Sequence, residues 1–161
     1  MKSSATNPFT QAAGLGLIAG MRTFIAPAVI SHMYSRHPSK KLRKSKLDFL
    51  QTITTSKIFK VLAAGELIGD KLPTAPNRTA APGLIGRALS GAVAGAAVYR
   101  VAGKNMVVGS LIGSAAAVAS TFGCFFLRKA LAKTKIIPDA LVGGIEDALA
   151  ISAGIAIART V

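Results

Sequence analysis

"MVVGSLIGSAAAVASTFGCFFL", Met106 to Leu127, holds no charged side chain in 22 residues. A helix rising 1.5 Å per residue over that length covers the ~30 Å of a bilayer's hydrocarbon core. Working outward from it, "GLIGRALSGAVAGAAVYRV" (Gly83–Val101) is a second apolar segment, entered through Pro82 and interrupted by Arg87. "DALVGGIEDALAISAGIAIA" (Asp139–Ala158) is a third and carries Glu146 and Asp147. Pro8–Met33 is a fourth, with Arg22 near its middle and Pro27 just after. Because Pro27 has no N–H for the Thr23 carbonyl, a kink is expected there. Ile58–Leu72 is shorter and contains Lys60, Glu66, Asp70 and Lys71. The chain reads as all-α, a helical integral membrane bundle of four transmembrane helices plus a short acidic re-entrant or fifth helix, in one domain over residues 1–161.

Composition supports a membrane reading over a soluble one. Hydrophobic residues make up 51% of the chain while Trp is absent and aromatics reach only 6%, which suits helices packed through small side chains. The net charge of +14 points to an anionic partner, either nucleic acid or a membrane surface. Its distribution favours the membrane, because eight of the twenty Lys and Arg lie between Arg36 and Lys60. A nucleic-acid module would need a polar scaffold with aromatic or Arg readout elements, and none is seen. The 36–57 stretch therefore reads as a basic cytoplasmic loop, with Lys40, Lys41, Arg43 and Lys44 as candidate lipid contacts.

Two arrangements of the Ile58–Leu72 segment stay open. If it crosses, the loop at 36–60, Arg100, Lys104 and Arg159 share a side, with a smaller basic excess over the other. If it dips in and returns, the loops at 36–60, 71–78 and 128–135 share a side, and the steeper excess favours that side as cytoplasmic, with the N-terminus outside. The N-terminal apolar run, broken by Arg22, reads as a span and not as a cleaved signal. Cys124 stands alone in an apolar run, and His32 and His37 have no partner at ligand spacing, so neither a disulfide nor a metal site is expected.

Glycine and charge patterns say how the helices meet. Gly16/Gly20, Gly65/Gly69, Gly91/Gly95 and Gly109/Gly113 each have GxxxG spacing, which puts two glycines on one helix face for close approach. Together with the small size, these faces suggest a homo-oligomer, most simply a dimer. A faint internal likeness links "GLIAGMR" (Gly16–Arg22) to "GLIGR" (Gly83–Arg87), and "AAGE" (Ala63–Glu66) to "GGIE" (Gly143–Glu146). Arg22, Glu66, Asp70, Arg87, Glu146 and Asp147 lie within apolar segments or at their ends. A charge near the bilayer centre costs ~2.5–3.5 kcal/mol on insertion scales, so such groups face a partner or a wet cavity. The economical arrangement brings the acidic faces to Arg22 and Arg87, with Glu66 facing Arg22. That cluster serves either as an ion-pair network fixing helix register or as a cavity for an ion, proton or small polar solute.

The segments "AGMRTFIAPAVISH", "ELIGDKLPTAPNRTAAPGLIGRALSGA" and "IEDALAISAGIAIA", in that order, resemble an uncharacterised family of small bacterial polytopic membrane proteins, a domain of unknown function. The likeness covers most of the chain outside the basic loop. Its most specific elements are Glu66, Asp70, Lys71 and Pro73, and the Glu146–Asp147 pair. The resemblance implies a multi-pass protein of the bacterial inner membrane and brings no activity or cofactor with it.

Three functions compete. The first is a transporter- or channel-like protein using the Arg/acid cluster as its substrate or ion site. The second is a non-catalytic accessory protein whose basic loop contacts anionic lipid or a partner. The third, an intramembrane enzyme, has no Ser/His, His/Cys or metal constellation to work with, so no catalytic residue is expected.

Overall fold

The computed structural model describes residues 7–69, 81–134 and 139–158, and among them every regular element is helical. These are α1 (Pro8–Met21), α2 (Ile25–Arg36), the short α3 (Lys40–Arg43), α4 (Ile53–Gly69), α5 (Ala81–Val101), α6 (Met106–Thr134) and α7 (Asp139–Ala158), with a 3-10 turn at Asp48–Gln51.

Helix ends follow local chemistry. Asn7 caps α1, its side-chain oxygen accepting from the Phe9 N–H at 3.0 Å, and Pro8 sits where its missing N–H costs nothing. Antiparallel α5 and α6 are joined by a tight turn. Gly103 there adopts φ 75°, the Gly103 N–H bonds the Arg100 carbonyl at 3.0 Å, and the Lys104 N–H bonds the Tyr99 carbonyl at 2.8 Å. This pair of bonds closes a helix through a left-handed residue, which glycine adopts without a Cβ penalty. Asn105 then caps α6 through the Val107 N–H at 2.9 Å.

Helices α1, α5 and α6 form the tightest part of the bundle, and glycine makes it possible. A Cβ on Gly91 or Gly95 would fall on the carbonyls of Gly113 and Gly109, and one on Gly16 or Gly20 on those of Gly113 and Ala117. Backbone thus lies on backbone along both seams of α6. The Gly91/Gly95 and Gly109/Gly113 strips are filled by each other within one chain, which removes them as a surface for a second copy. A Cβ on Gly65 or Gly69, by contrast, would meet nothing within 4 Å among the described residues.

Among the described residues, three helices are long and apolar enough to cross a membrane, over Ala81–Val101, Met106–Leu131 and Leu141–Ala158. The expectation of four spans plus a fifth needs correcting. The fourth segment is not one helix but two, of 14 and 12 residues, and neither alone reaches ~30 Å at 1.5 Å per residue. The break also differs from the expected kink at Pro27, for it lies upstream at Arg22–Phe24. Pro27 becomes the third residue of α2, where no N–H is needed. The acidic segment starts earlier than expected, as the 17-residue α4 from Ile53. Its Asp70 end, with Lys71 and Pro73, lies outside the described residues.

The basic 36–57 stretch is folded onto the bundle. Leu42 and Leu50 are fully buried in the core, Gln51 accepts from the Ser39 N–H at 2.6 Å, and Arg100 donates to the Lys41 carbonyl at 3.0 Å. Lys40, Lys41, Arg43 and Lys44 remain at the surface around this cap.

Candidate functional site at the helix break

A helix broken inside an apolar protein leaves N–H and C=O groups that water cannot satisfy, so each needs a partner. At Arg22–Phe24 the partners are side chains from three other helices. Glu66 of α4 spans the break, one carboxylate oxygen accepting from the Thr23 N–H at 2.7 Å and the other from the Phe24 N–H at 2.9 Å. Phe24 is the N-cap residue of α2 and makes no side-chain cap bond of its own, so Glu66 caps that helix from a neighbour. The carboxylate there also meets the positive end of the α2 dipole.

The freed carbonyls are answered in turn. Pro27 leaves the Thr23 carbonyl without its helical donor, and the Ser90 hydroxyl of α5 bonds it at 2.5 Å. The Phe24 N–H, turned toward Glu66, no longer serves the Gly20 carbonyl. The Thr121 hydroxyl of α6 lies 3.1 Å from that oxygen and 2.8 Å from the Ala117 carbonyl.

Charge is concentrated beside the break. The Arg22 side chain, only 2% exposed, forms an ion pair with Asp147 of α7, its Nε donating to one carboxylate oxygen at 2.6 Å. Glu146, the preceding residue, is buried and faces Arg128 of α6 at 3.8 Å. Arg128 lies over the start of α7, close enough that a Cβ on Gly143 would meet its guanidinium at 2.6 Å. Arg87 is buried on α5, one turn before Ser90.

Of the six residues singled out from sequence, Arg22, Glu66 and Asp147 gather at the break. Arg87 sits one turn from it along α5, Glu146 is held from the α6 side, and Asp70 lies outside the described residues. The expected Glu66–Arg22 pair gives way to a different arrangement, with Glu66 on backbone N–H groups and Arg22 on Asp147. Physically, the break supplies two orphan donors that the Glu66 carboxylate takes, while the guanidinium has a carboxylate of its own on α7. Ser90, Thr121 and Arg128 join the set from the structure alone. A Pro four residues after Thr23 does predict an orphan carbonyl, which is the one signal in the sequence that points to a hydroxyl donor.

No curated protein and no solved structure shows significant similarity to this chain. A family profile does, matching residues 10–160, so that it takes in α5, α6, α7 and every side chain named at the break. On that match the chain belongs to the family described as Domain of unknown function (DUF4126).

Proposed function

We propose that this chain is a multi-pass protein of the bacterial inner membrane, transporter- or channel-like, whose polar centre at the Arg22–Phe24 break binds an ion, a proton or a small polar solute. The observation carrying this reading is the pair of N–H groups at the start of α2 held by Glu66. Discontinuous helices with their ends turned inward are a recurrent way to build solute sites in membrane transporters. Ionisable groups inside apolar bundles commonly mark ion and proton pathways.

The chemistry follows from the Glu66 carboxylate. Ionised, it accepts from both N–H groups. A proton on one oxygen turns that oxygen into a donor and releases one N–H. A cation drawn to the carboxylate would loosen the same bonds. Either event exposes a backbone donor next to the Arg22–Asp147 pair, where a solute oxygen can take its place. No step requires catalysis, and the protein is proposed to be a non-enzyme. It is also proposed to work without nucleic acid, in contact with membrane lipid and as a homo-oligomer.

The test is flux. The chain, reconstituted into sealed vesicles, is screened against protons, monovalent ions and small polar solutes. Glu66→Gln replaces one acceptor with a donor, so it is expected to abolish whatever flux is found while the protein stays in the membrane after alkaline carbonate washing. Flux that persists at full rate in Glu66→Gln would confine the break to a structural role.

A further inference from the structure

On the side of the bundle away from the glycine seams, α2, α4 and α7 enclose an open groove of about 300 Å³. Along most of its length the lining is aliphatic, with Ile25 and Val29 from α2, Ala64 and Leu67 from α4, and Ile151 and Ile155 from α7. Gly154 forms its floor, lying so close to α2 that a Cβ there would meet Val29 at 2.8 Å. From the level of Lys60 to that of Leu67 the groove runs ~10 Å along α4.

Among the described residues, the groove's polar lining is at one end. Lys60 Nζ lies 3.0 Å from His32 Nδ1, and both residues line the groove. With Nδ1 accepting from the ammonium, the ring proton sits on Nε2 and gives a second donor at the rim. One turn beyond His32 on α2 is Arg36, and one turn before Lys60 on α4 is Lys57, both exposed. Lys60 and His32 therefore close one end of an aliphatic slot, with Arg36 and Lys57 one turn further along their own helices.

We propose that this groove is a binding site for an anionic phospholipid, one acyl chain lying along α2, α4 and α7 with the headgroup phosphate on Lys60 and His32. The charge pattern selects this occupant. A helix from a second copy would fill the slot but leave the cationic rim unanswered. A zwitterionic lipid would bring an ammonium group toward the like charge of Lys60. The polar end of the site lies away from the helix break, which the Ile25 and Leu67 end of the groove adjoins. The site is also distinct from the surface side chains Lys40, Lys41, Arg43 and Lys44, which can offer a charged surface but no slot for a chain.

The experiment is native mass spectrometry of the protein released from nanodiscs of equal phosphatidylglycerol and phosphatidylethanolamine with identical acyl chains. Wild type is expected to retain phosphatidylglycerol in preference. Lys60→Gln, at an exposed position that should not disturb folding, is expected to lower that preference by about fivefold, the effect of one lysine near an anionic headgroup. Ala64→Phe, which plugs the slot, should lower retention of both lipids. Leu89→Phe on the outer face of α5, where Leu89 is 60% exposed, should change neither. Equal retention of the two lipids by wild type, or a preference untouched by Lys60→Gln, overturns the proposal. A dimer that Ala64→Phe dissolves would overturn it in favour of a second copy in the groove. If Ala64→Phe fails to fold, the headgroup preference of Lys60→Gln decides alone.

Discussion

Helices α1, α5 and α6 meet backbone to backbone, whereas α2, α4 and α7 pack on the bundle through side chains, apolar ones such as Ile25, Ile30, Ala63 and Ala150 and, at the break, a handful of polar ones. The first region has no room for change: its glycines lie against facing carbonyls, and separation of α5 from α6 loses contacts along the whole seam. The second is bridged at the break by bonds a solute, proton or ion could make instead, those of Glu66 to Thr23 and Phe24 and of Ser90 to Thr23. A rigid scaffold beside a replaceable polar joint is the division of labour that the proposed transporter- or channel-like function calls for.

The sharpest way to break that comparison is a side chain in the seam. Gly113→Leu sets a branched group against the Gly91 carbonyl, and overfilling a packed site costs ~1–3 kcal/mol or more. The expected outcome is failure to accumulate as folded protein, read by size-exclusion profile in mild detergent. A well-behaved Gly113→Leu with wild-type thermal midpoint would mean that the seam is as replaceable as the joint.

Next in size is the ion pair beside the break. Removing one member of a buried pair strands the other, at ~3–5 kcal/mol. Arg22→Leu and Asp147→Leu should each lower thermal stability strongly, and the double variant should be much milder. Asp147 keeps 14% of its side chain exposed, so its removal is expected to sit at the lower end. Additive losses in the double variant would show that the two charges act separately.

How much of this is legible in the sequence differs between the two regions in an instructive way. The scaffold is readable because uncharged length and glycine spacing are local properties: Met106–Leu127 and the Gly91/Gly95 and Gly109/Gly113 pairs need no partner to be recognised. Which strips meet each other is not readable, since spacing identifies a face and not its neighbour, and the step from glycine faces to a second copy fails there. The joint is half readable. Arg22, Glu66 and Asp147 stand out as charges in apolar sequence, yet pairing them by opposite sign matches Glu66 to Arg22. The backbone donors that Glu66 takes exist only because the helix breaks, and the break comes at Arg22–Phe24, upstream of Pro27. Ser90 and Thr121 carry no charge, and among so many small residues nothing marks them out.

A smaller effect tests the hydroxyl half of the joint. Ser90→Ala leaves the Thr23 carbonyl without its donor in a partly buried setting. A stranded acceptor costs ~1–3 kcal/mol, so a modest fall in thermal midpoint is expected. Ser90→Thr, which keeps the hydroxyl, should recover most of it. Equal behaviour of Ala and Thr at this position would show that the carbonyl finds another donor.

The smallest change in stability is expected at the fourth glycine pair, and there the result bears on assembly. Gly65 and Gly69 lie on α4, where a Cβ added to either would meet nothing within 4 Å among the described residues, in contrast to every glycine of the seam's three pairs. Replacing both by Leu meets open space among the described residues and removes two glycines from a helix, each worth roughly 0.5–1 kcal/mol in helix propensity. If this face meets only lipid, the double variant should be as stable as wild type or slightly more so, with its mass in mild detergent unchanged. If the proposed homo-oligomer packs through α4, the two leucines stand between the copies and the assembly should fall to monomers while each monomer stays folded. Sedimentation in detergent separates these outcomes, because stability and mass move independently: a smaller particle with an unaltered thermal midpoint would make this open strip the interface that the filled glycine seams cannot be.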